Sequence, residues 1–104
     1  MELMFDKVFT VTNLTLNGNM FKIAAHKQLA SLFAKAAPLE ELNMRACGLE
    51  NEGLVTTFEV LVELKRLKKI DYSNNGIFDK GIQSICPYID DKHYKSHITA
   101  LIFN

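Results

Sequence analysis

The sequence is poor in cysteine, has no excess of charge of either sign and contains no long hydrophobic run. Cys47 and Cys86 form no CxxC pair, which argues against a disulfide framework and favours a reducing compartment. Twelve basic and twelve acidic residues cancel, so the broad positive field typical of proteins that bind nucleic acid or anionic membranes is absent. No apolar run approaches the roughly 20 residues of a spanning helix. These absences predict a soluble, cytoplasmic protein with no nucleic-acid or membrane partner.

A hydrophobic pattern recurs along the chain of 104 residues, of which 48% are hydrophobic, enough for one domain with a packed core. The pattern of LEELNMRACGLENEG, residues 39–53, returns at a step of 28 residues on both sides. Four columns share that step: Leu14, Leu42 and Ile70; Leu16, Met44 and Tyr72; Asn19, Cys47 and Asn75; Phe21, Leu49 and Ile77. The chain is therefore built from repeated units.

Each unit combines a strand period with a helix period. Leu42 and Met44 are two residues apart, the period of a strand whose alternate side chains point into a core. Further on, one face of a helix carries Leu54, Phe58, Leu61 and Val62. The helical columns are His26, Leu54 and Ile82; Leu29, Thr57 and Ile85; Phe33, Leu61 and Ile89. Stacked units would place parallel strands on one side, helices on the other and a continuous core between them.

A small thiol interrupts the apolar pattern at the turn between strand and helix. The inward-facing residues around it are Leu39, Leu42, Met44 and Leu49. We expect Cys47 to hydrogen-bond backbone carbonyl groups that the turn leaves unpaired.

The motif L-x-x-L-x-[LM]-x-x-C-x-L followed by Gly53 resembles a leucine-rich repeat, and its counterpart consists of Leu67, Ile70, Tyr72, Asn75, Ile77 and Gly81. The 28-residue period and the turns GLENEG and GIFDKG are similar to the ribonuclease-inhibitor-like subfamily, which includes the sensor domains of NOD-like receptors. The resemblance covers residues 11–89. It implies an α/β fold: a right-handed leucine-rich repeat solenoid, here a short horseshoe segment, with parallel strands on the concave side and helices on the convex side.

We expect a single domain over residues 1–104, made of a partial repeat at 1–10, repeats at about 11–38, 39–66 and 67–97, and a partial repeat at 98–104. The first partial repeat carries a helical stripe formed by Met1, Met4, Phe5 and Val8. Pro87 is expected to cut the helix of the third repeat. Ile98, Leu101 and Phe103 restore the strand spacing after a three-residue insertion and predict a fourth strand.

Leucine-rich repeats bind proteins mostly through the outward side chains of their strands, and this implies a candidate partner-binding face. Its residues would be Asn13, Thr15, Asn17, Glu41, Asn43, Arg45, Lys69, Asp71 and Ser73, with Thr99 and Ala100 in the last strand. Arginine is common at binding hot spots, and Arg45 is the one residue of such a type on this face. Glu40 and Glu41 precede Lys68 and Lys69 by one repeat, which predicts lateral salt bridges worth roughly 0 to 1 kcal/mol each.

Metal and catalytic sites are not expected. The polar cluster near the end of the third repeat, formed by Cys86, Asp90, Asp91, His93 and His97, matches no strong zinc spacing. Cys86 aligns with Ala30 and Phe58 and is predicted to be buried, and His26 to be a partly buried, hydrogen-bonded ring. No phosphate-binding loop or nucleophile with a base is evident, so we predict no enzyme, no cofactor and no metal.

Two functions remain for such a chain. The first is a protein-protein interaction scaffold that binds another protein through the concave strand face. The alternative is a structural or assembly segment of a longer repeat array that self-associates through its terminal strand, residues 98–104, because an unpaired strand edge promotes association.

Overall fold

Short strands and longer helices alternate along residues 11–89 and 98–103, the part of the chain that the computed structural model describes. The elements in order are β1 Asn13–Thr15, α1 Ile23–Phe33, β2 Glu41–Asn43, α2 Glu50–Leu61, β3 Lys69–Asp71, α3 Asp79–Ile89 and β4 Ala100–Ile102. The helical stripe expected at Met1, Met4, Phe5 and Val8 lies outside the described residues.

All four strands join one parallel sheet in the order β1-β2-β3-β4. The register aligns Leu14 with Leu42, Leu42 with Ile70, and Ile70 with Leu101. The column predicted from the 28-residue step is thus a continuous row across the sheet, and the fourth strand is present after its three-residue insertion. The fold is α/β with a parallel sheet, compatible with an α/β repeat fold.

The core lies between the sheet and the helices. Leu39, Leu42, Met44 and Leu49 are fully buried, as predicted from their spacing. They join one cluster with buried side chains of α1 and α2, and α2 packs between α1 and α3. The second unit is therefore covered on both sides by its neighbours.

Two glycines that the sequence suggested as turn residues lie inside helices instead. Gly53 is in α2 and Gly81 is in α3, and both are buried. A Cβ atom at Gly53 would lie 2.9 Å from the His26 ring and 2.8 Å from the Cβ atom of Leu49. Close helix packing, rather than a turn, is what requires a small residue there. The Nε2 group of His26 donates to the Phe21 carbonyl, as expected, and the ring is more fully buried than predicted.

The turns after the strands are stabilised by side chains from the column Asn19, Cys47 and Asn75. The Cys47 thiol donates to the Leu16 carbonyl at 3.1 Å, which confirms the bond predicted for it. Asn75 does more, because its buried amide oxygen accepts the backbone N–H groups of Cys47 and Leu49. Its amide nitrogen donates to three carbonyl groups, those of Met44, Tyr72 and Ser73. One side chain therefore links the turns of the second and third units.

A second column in these turns has left-handed backbone geometry. Gly18, Ala46 and Asn74 occupy equivalent positions with φ of 79°, 54° and 58°. This region costs a residue with a Cβ atom roughly 1 to 2 kcal/mol, and Ala46 has no side-chain polar group to offset that cost.

Replacing Ala46 by glycine is expected to increase the free energy of unfolding by about 0.5 to 1 kcal/mol. The gain is the relieved strain minus the greater entropy of glycine in the unfolded chain. Urea denaturation would measure it. The control is Ala34→Gly, at an exposed residue with φ of −58°, where the same change should destabilise. A lower free energy of unfolding for Ala46→Gly would contradict the inference that the backbone of Ala46 is strained.

The outer surface of α3 departs from the sequence prediction. Ile82 and Ile89 are 36% and 42% exposed, and Cys86, predicted to be buried, is exposed. The equivalent residues of α1 and α2 are covered by the next helix, but no helix among the described residues packs against the far side of α3. The prediction for Cys86 is wrong because the residues that align with it, Ala30 and Phe58, are buried by a following helix, and α3 has no such helix among the described residues.

Pro87 does not cut the third helix, which continues to Ile89. The prediction of a break at this residue is wrong. Pro87 lies in the last turn, and the carbonyl that loses its donor is that of Gln83, four residues earlier. Both residues are exposed, so water can take the place of the missing donor.

Cys86 is expected to react rapidly with Ellman's reagent in the native protein, whereas Cys47 reacts only on unfolding. Burial raises the pKa of the Cys47 thiol, an effect that the backbone N–H groups of Asn19 and Gly18 only partly offset. The thiolate is the reactive form. Titration should count one thiol in buffer and two in guanidinium chloride. Two rapidly reacting thiols in buffer would show that Cys47 is not held in the core.

Candidate functional site

The outward side chains of the first three strands form a polar array. In the sheet register Glu41 lies beside Asn13 and Lys69, and Asn43 lies beside Thr15 and Asp71. The exposed members of the array are Asn13, Thr15, Asn17 and Arg45, and the partly exposed ones are Glu41, Asn43, Lys69 and Asp71. The structure therefore brings eight of the nine sequence-predicted residues to one surface, the strand face.

Ser73 is the exception, because it is only 2% exposed. Its hydroxyl group and its backbone N–H both donate to Oδ1 of Asp71. This local turn after β3 holds the hydroxyl against the Asp71 carboxylate. Ser73 therefore offers no exposed group on the strand face, contrary to expectation.

Arg45 and Asp71 form the charged centre of the strand face. Nε of Arg45 lies 3.9 Å from Oδ2 of Asp71, and their side chains are 53% and 14% exposed. The backbone N–H of Arg45 donates to the Asn17 side chain at 2.8 Å, which fixes the main chain beneath the guanidinium group. The half-exposed guanidinium group can still offer hydrogen-bond donors to a partner.

Several groups act on the ionisation of Asp71. Burial opposes ionisation and would raise its pKa, but the hydrogen bonds from Ser73 and the nearby charges of Arg45 and Lys69 outweigh it. The pKa of Asp71 is therefore lower than its ordinary value of 3.8. The carboxylate form is favoured in the folded state.

Asp71→Asn is expected to cost about 1 kcal/mol at neutral pH, because two charge-assisted hydrogen bonds become neutral ones. A depressed pKa stabilises the fold above the unfolded value of 3.8, and that contribution is lost as pH falls through the folded value. The stability difference between wild type and variant should therefore shrink below about pH 4. Urea denaturation at a series of pH values measures it. Ser73→Ala should reduce the same pH dependence, and a constant difference would contradict the assignment.

The lateral salt bridges predicted for Glu40 and Glu41 with Lys68 and Lys69 are not formed. The register does place Glu41 beside Lys69, but the ion pair found within residues 11–89 and 98–103 is Arg45–Asp71. The backbone N–H groups of Lys68 and Lys69 instead donate to the Glu40 carbonyl. Exposed carboxylate and ammonium groups gain too little from pairing to hold long side chains in one geometry.

Metal-binding residue types do not cluster in the described part of the chain, where no group of three or more could hold an ion. Asp90, Asp91, His93 and His97 of the cluster weighed from the sequence lie outside the described residues. Among the described helices, none is long and apolar enough to cross a membrane.

Sequence reasoning missed a groove near the start of α2. Its volume is about 210 Å³, and its lining includes Ile23, Leu49, Glu50, Glu52 and Phe78. Ile23 and Phe78 are 66% and 71% exposed. A signal was available, because Phe78 aligns at the 28-residue step with Lys22 and Glu50, where the other units have charged residues.

Comparison with known proteins finds a similarity to a repeat-containing protein. The chain is 30% identical over 86 residues to Protein NLRC5 of Mus musculus, an alignment that covers 77% of this chain and 4% of that protein. NLRC5 is an NLR protein with leucine-rich repeats. No family model matches the chain. The similarity points to leucine-rich-repeat content, and the chain spans about 4% of the length of this curated relative.

Proposed function

We propose that the chain is a leucine-rich repeat solenoid of the ribonuclease-inhibitor-like kind that binds another protein through its strand face. The similarity to a repeat-containing NLR protein supports the repeat assignment. The 28-residue register of the parallel strands supports it independently. In this architecture the strand face would be the concave surface of a right-handed coil.

The observation that carries the proposal is the in-register array of polar side chains around Arg45. Adjacent strands of a sheet are about 4.8 Å apart, so the side chains of three units form a continuous surface that meets a partner without rearrangement. Arg45 is half exposed and lies beside the Asp71 carboxylate. That carboxylate already accepts a hydrogen bond from Ser73. Its remaining donors suit a carboxylate or carbonyl of a partner, and arginine is frequent at binding hot spots.

Capture from cell lysate with tagged variants tests the proposal. A triple variant with alanine at Arg45, Lys69 and Asp71 should lose the proteins that the wild-type chain retains. The control is alanine at Lys27 and Glu63, which are exposed and lie outside the strands. Quantitative mass spectrometry of the retained proteins is the measurement. Equal recovery by the triple variant and the control would overturn the strand face as the binding surface.

The alternative is an assembly segment that associates through β4, and one observation favours it. Leu101 is partly exposed, whereas Leu42 and Ile70 of the same row are fully buried. The β4 side chains therefore retain apolar surface that a further strand would cover. Light scattering over a concentration series would detect an oligomer, and Ile102→Lys, a charge on this strand, should abolish it. A monomer at all concentrations would exclude this alternative for the chain itself.

We further propose that the chain acts by binding rather than catalysis, in the cytoplasm, and needs no cofactor. The strand face has hydrogen-bonding and charged groups suited to protein recognition. The buried, hydrogen-bonded Cys47 thiol has a raised pKa that disfavours a nucleophilic role.

A further inference from the structure

We propose that the groove at the start of α2, which is lined by residues of all three units, docks a partner segment in which one large apolar side chain is flanked by lysine or arginine. The groove is separate from the strand face, so it would be a second contact surface. We name it the turn groove, defined by Ile23, Leu49, Glu50, Glu52 and Phe78.

The size and lining of the turn groove fit a single side chain. Its volume of about 210 Å³ is below the roughly 300 Å³ at which small-molecule pockets begin. Ile23 and Phe78 line it with large exposed apolar side chains, and buried Leu49 also contributes to its lining. The backbone N–H of Phe78 donates to the Asn51 side chain at 2.9 Å. This bond holds the main chain that carries the aromatic ring, so less ordering is needed on binding.

The repeat itself does not require apolar residues at these positions. Phe78 is equivalent to Lys22 and Glu50, and Ile23 is equivalent to Asn51 and Asp79. The other units therefore fold with polar residues where these two side chains stand. Exposed apolar residues that cluster within a polar rim are typical of interaction sites rather than of core packing.

Charge selects the kind of partner. Glu50 and Glu52 bring two carboxylates to the turn groove, and no lysine or arginine lines it among the residues that the structure describes. Neither carboxylate is in an ion pair within the described residues. Both also favour the start of α2 through the helix dipole, but carboxylates next to an apolar groove additionally attract a segment with basic residues around its apolar anchor.

Titration of the full chain with three short peptides tests the proposal, read by two-dimensional ¹H–¹⁵N NMR. The probes are acetyl-GKKLKKG-amide, the same peptide with serine for leucine, and the same peptide with glutamate for every lysine. The leucine peptide should shift the amide signals of Glu50, Gly76 and Phe78. The serine peptide should bind about ten-fold more weakly, since apolar burial is lost, and the glutamate peptide should not bind. Equal binding of the serine peptide would overturn the proposal.

Variants locate the binding to the turn groove. Phe78→Ser should weaken the leucine peptide about ten-fold, and Glu50→Gln with Glu52→Gln should weaken it a few-fold and reduce its salt dependence. Ile82→Ser is the matched control, at an exposed apolar residue outside the groove. Circular dichroism checks that each variant is folded. If Phe78→Ser unfolds the chain, Ile23→Ser takes its place as the groove variant. Unchanged affinity in the folded groove variant would overturn the proposal. So would groove signals that shift on dilution without peptide, which would make a second copy the occupant.

Discussion

Asn75→Ala is expected to lower the free energy of unfolding by about 3 to 4 kcal/mol, far more than the change of side-chain volume suggests. The amide of Asn75 is 3% exposed and bonds two N–H groups and three carbonyl groups of the backbone. Its removal leaves the N–H groups of Cys47 and Leu49 without this acceptor in the interior. A buried unpaired donor costs about 1 to 3 kcal/mol, and a water entering the vacated space recovers part of that.

The column offers a matched control and a pH-dependent variant. Asn19→Ala removes an exposed amide that donates to Leu16, and it should cost under about 1 kcal/mol. Asn75→Asp keeps an acceptor but points a carboxylate oxygen at three carbonyl groups, which raises the folded pKa of the new acid. Its stability should therefore fall as pH rises above about 4. Urea denaturation measures all three variants, and equal costs for Asn75→Ala and Asn19→Ala would contradict the buried network.

Leu42→Asp is expected to unfold the chain at neutral pH. Leu42 is fully buried in the central row of the sheet, between Leu14 and Ile70. The change removes a core side chain worth about 2 to 5 kcal/mol and places an unpaired carboxylate among apolar groups, which costs several more. A domain of this size has a total stability of about 5 to 15 kcal/mol. Circular dichroism and the spread of NMR amide signals would report the loss of structure.

Smaller substitutions in the same row provide a graded control. Leu42→Ala should cost about 2 to 5 kcal/mol. Leu14→Ala and Leu101→Ala should cost less, because both residues are only partly buried. Thr15→Asp places the same charge at an exposed position of β1 and should cost under about 1 kcal/mol. A folded Leu42→Asp chain, or equal costs along the row, would contradict the placement of Leu42 at the centre of the core.

The sheet and most of the core were predictable because their signal is local and repeated. The step that aligns Leu14, Leu42 and Ile70 in the sequence is the register of the strands, and one strand spacing after an insertion was enough to locate β4. The role of the Cys47 thiol followed from its position in a turn that leaves carbonyl groups unpaired. Each inference used the geometry of one unit and its immediate neighbour.

The errors concern features that spacing cannot encode. Cys86 shares a column with buried residues but lacks a covering helix within the described chain. Ser73 occupies an outward position, yet a local bond holds its hydroxyl on the Asp71 carboxylate and the residue is buried. The turn groove was overlooked because Phe78 directly follows Ile77, so the two read as one apolar pair. Only the comparison with Lys22 and Glu50, the equivalent residues of the other units, identifies position 78 as a surface position.

The strictly sequential order of the strands bears on how the chain folds during its synthesis. Within residues 11–89 and 98–103 each strand pairs only with the strands before and after it in the sequence, so no contact between these strands waits for a distant part of the polypeptide. A nascent chain can close the first pair as soon as β2 has left the ribosome, and each later strand joins an edge that is already formed. This order allows the sheet to grow in the direction of translation, with one growing edge exposed to misassembly at a time.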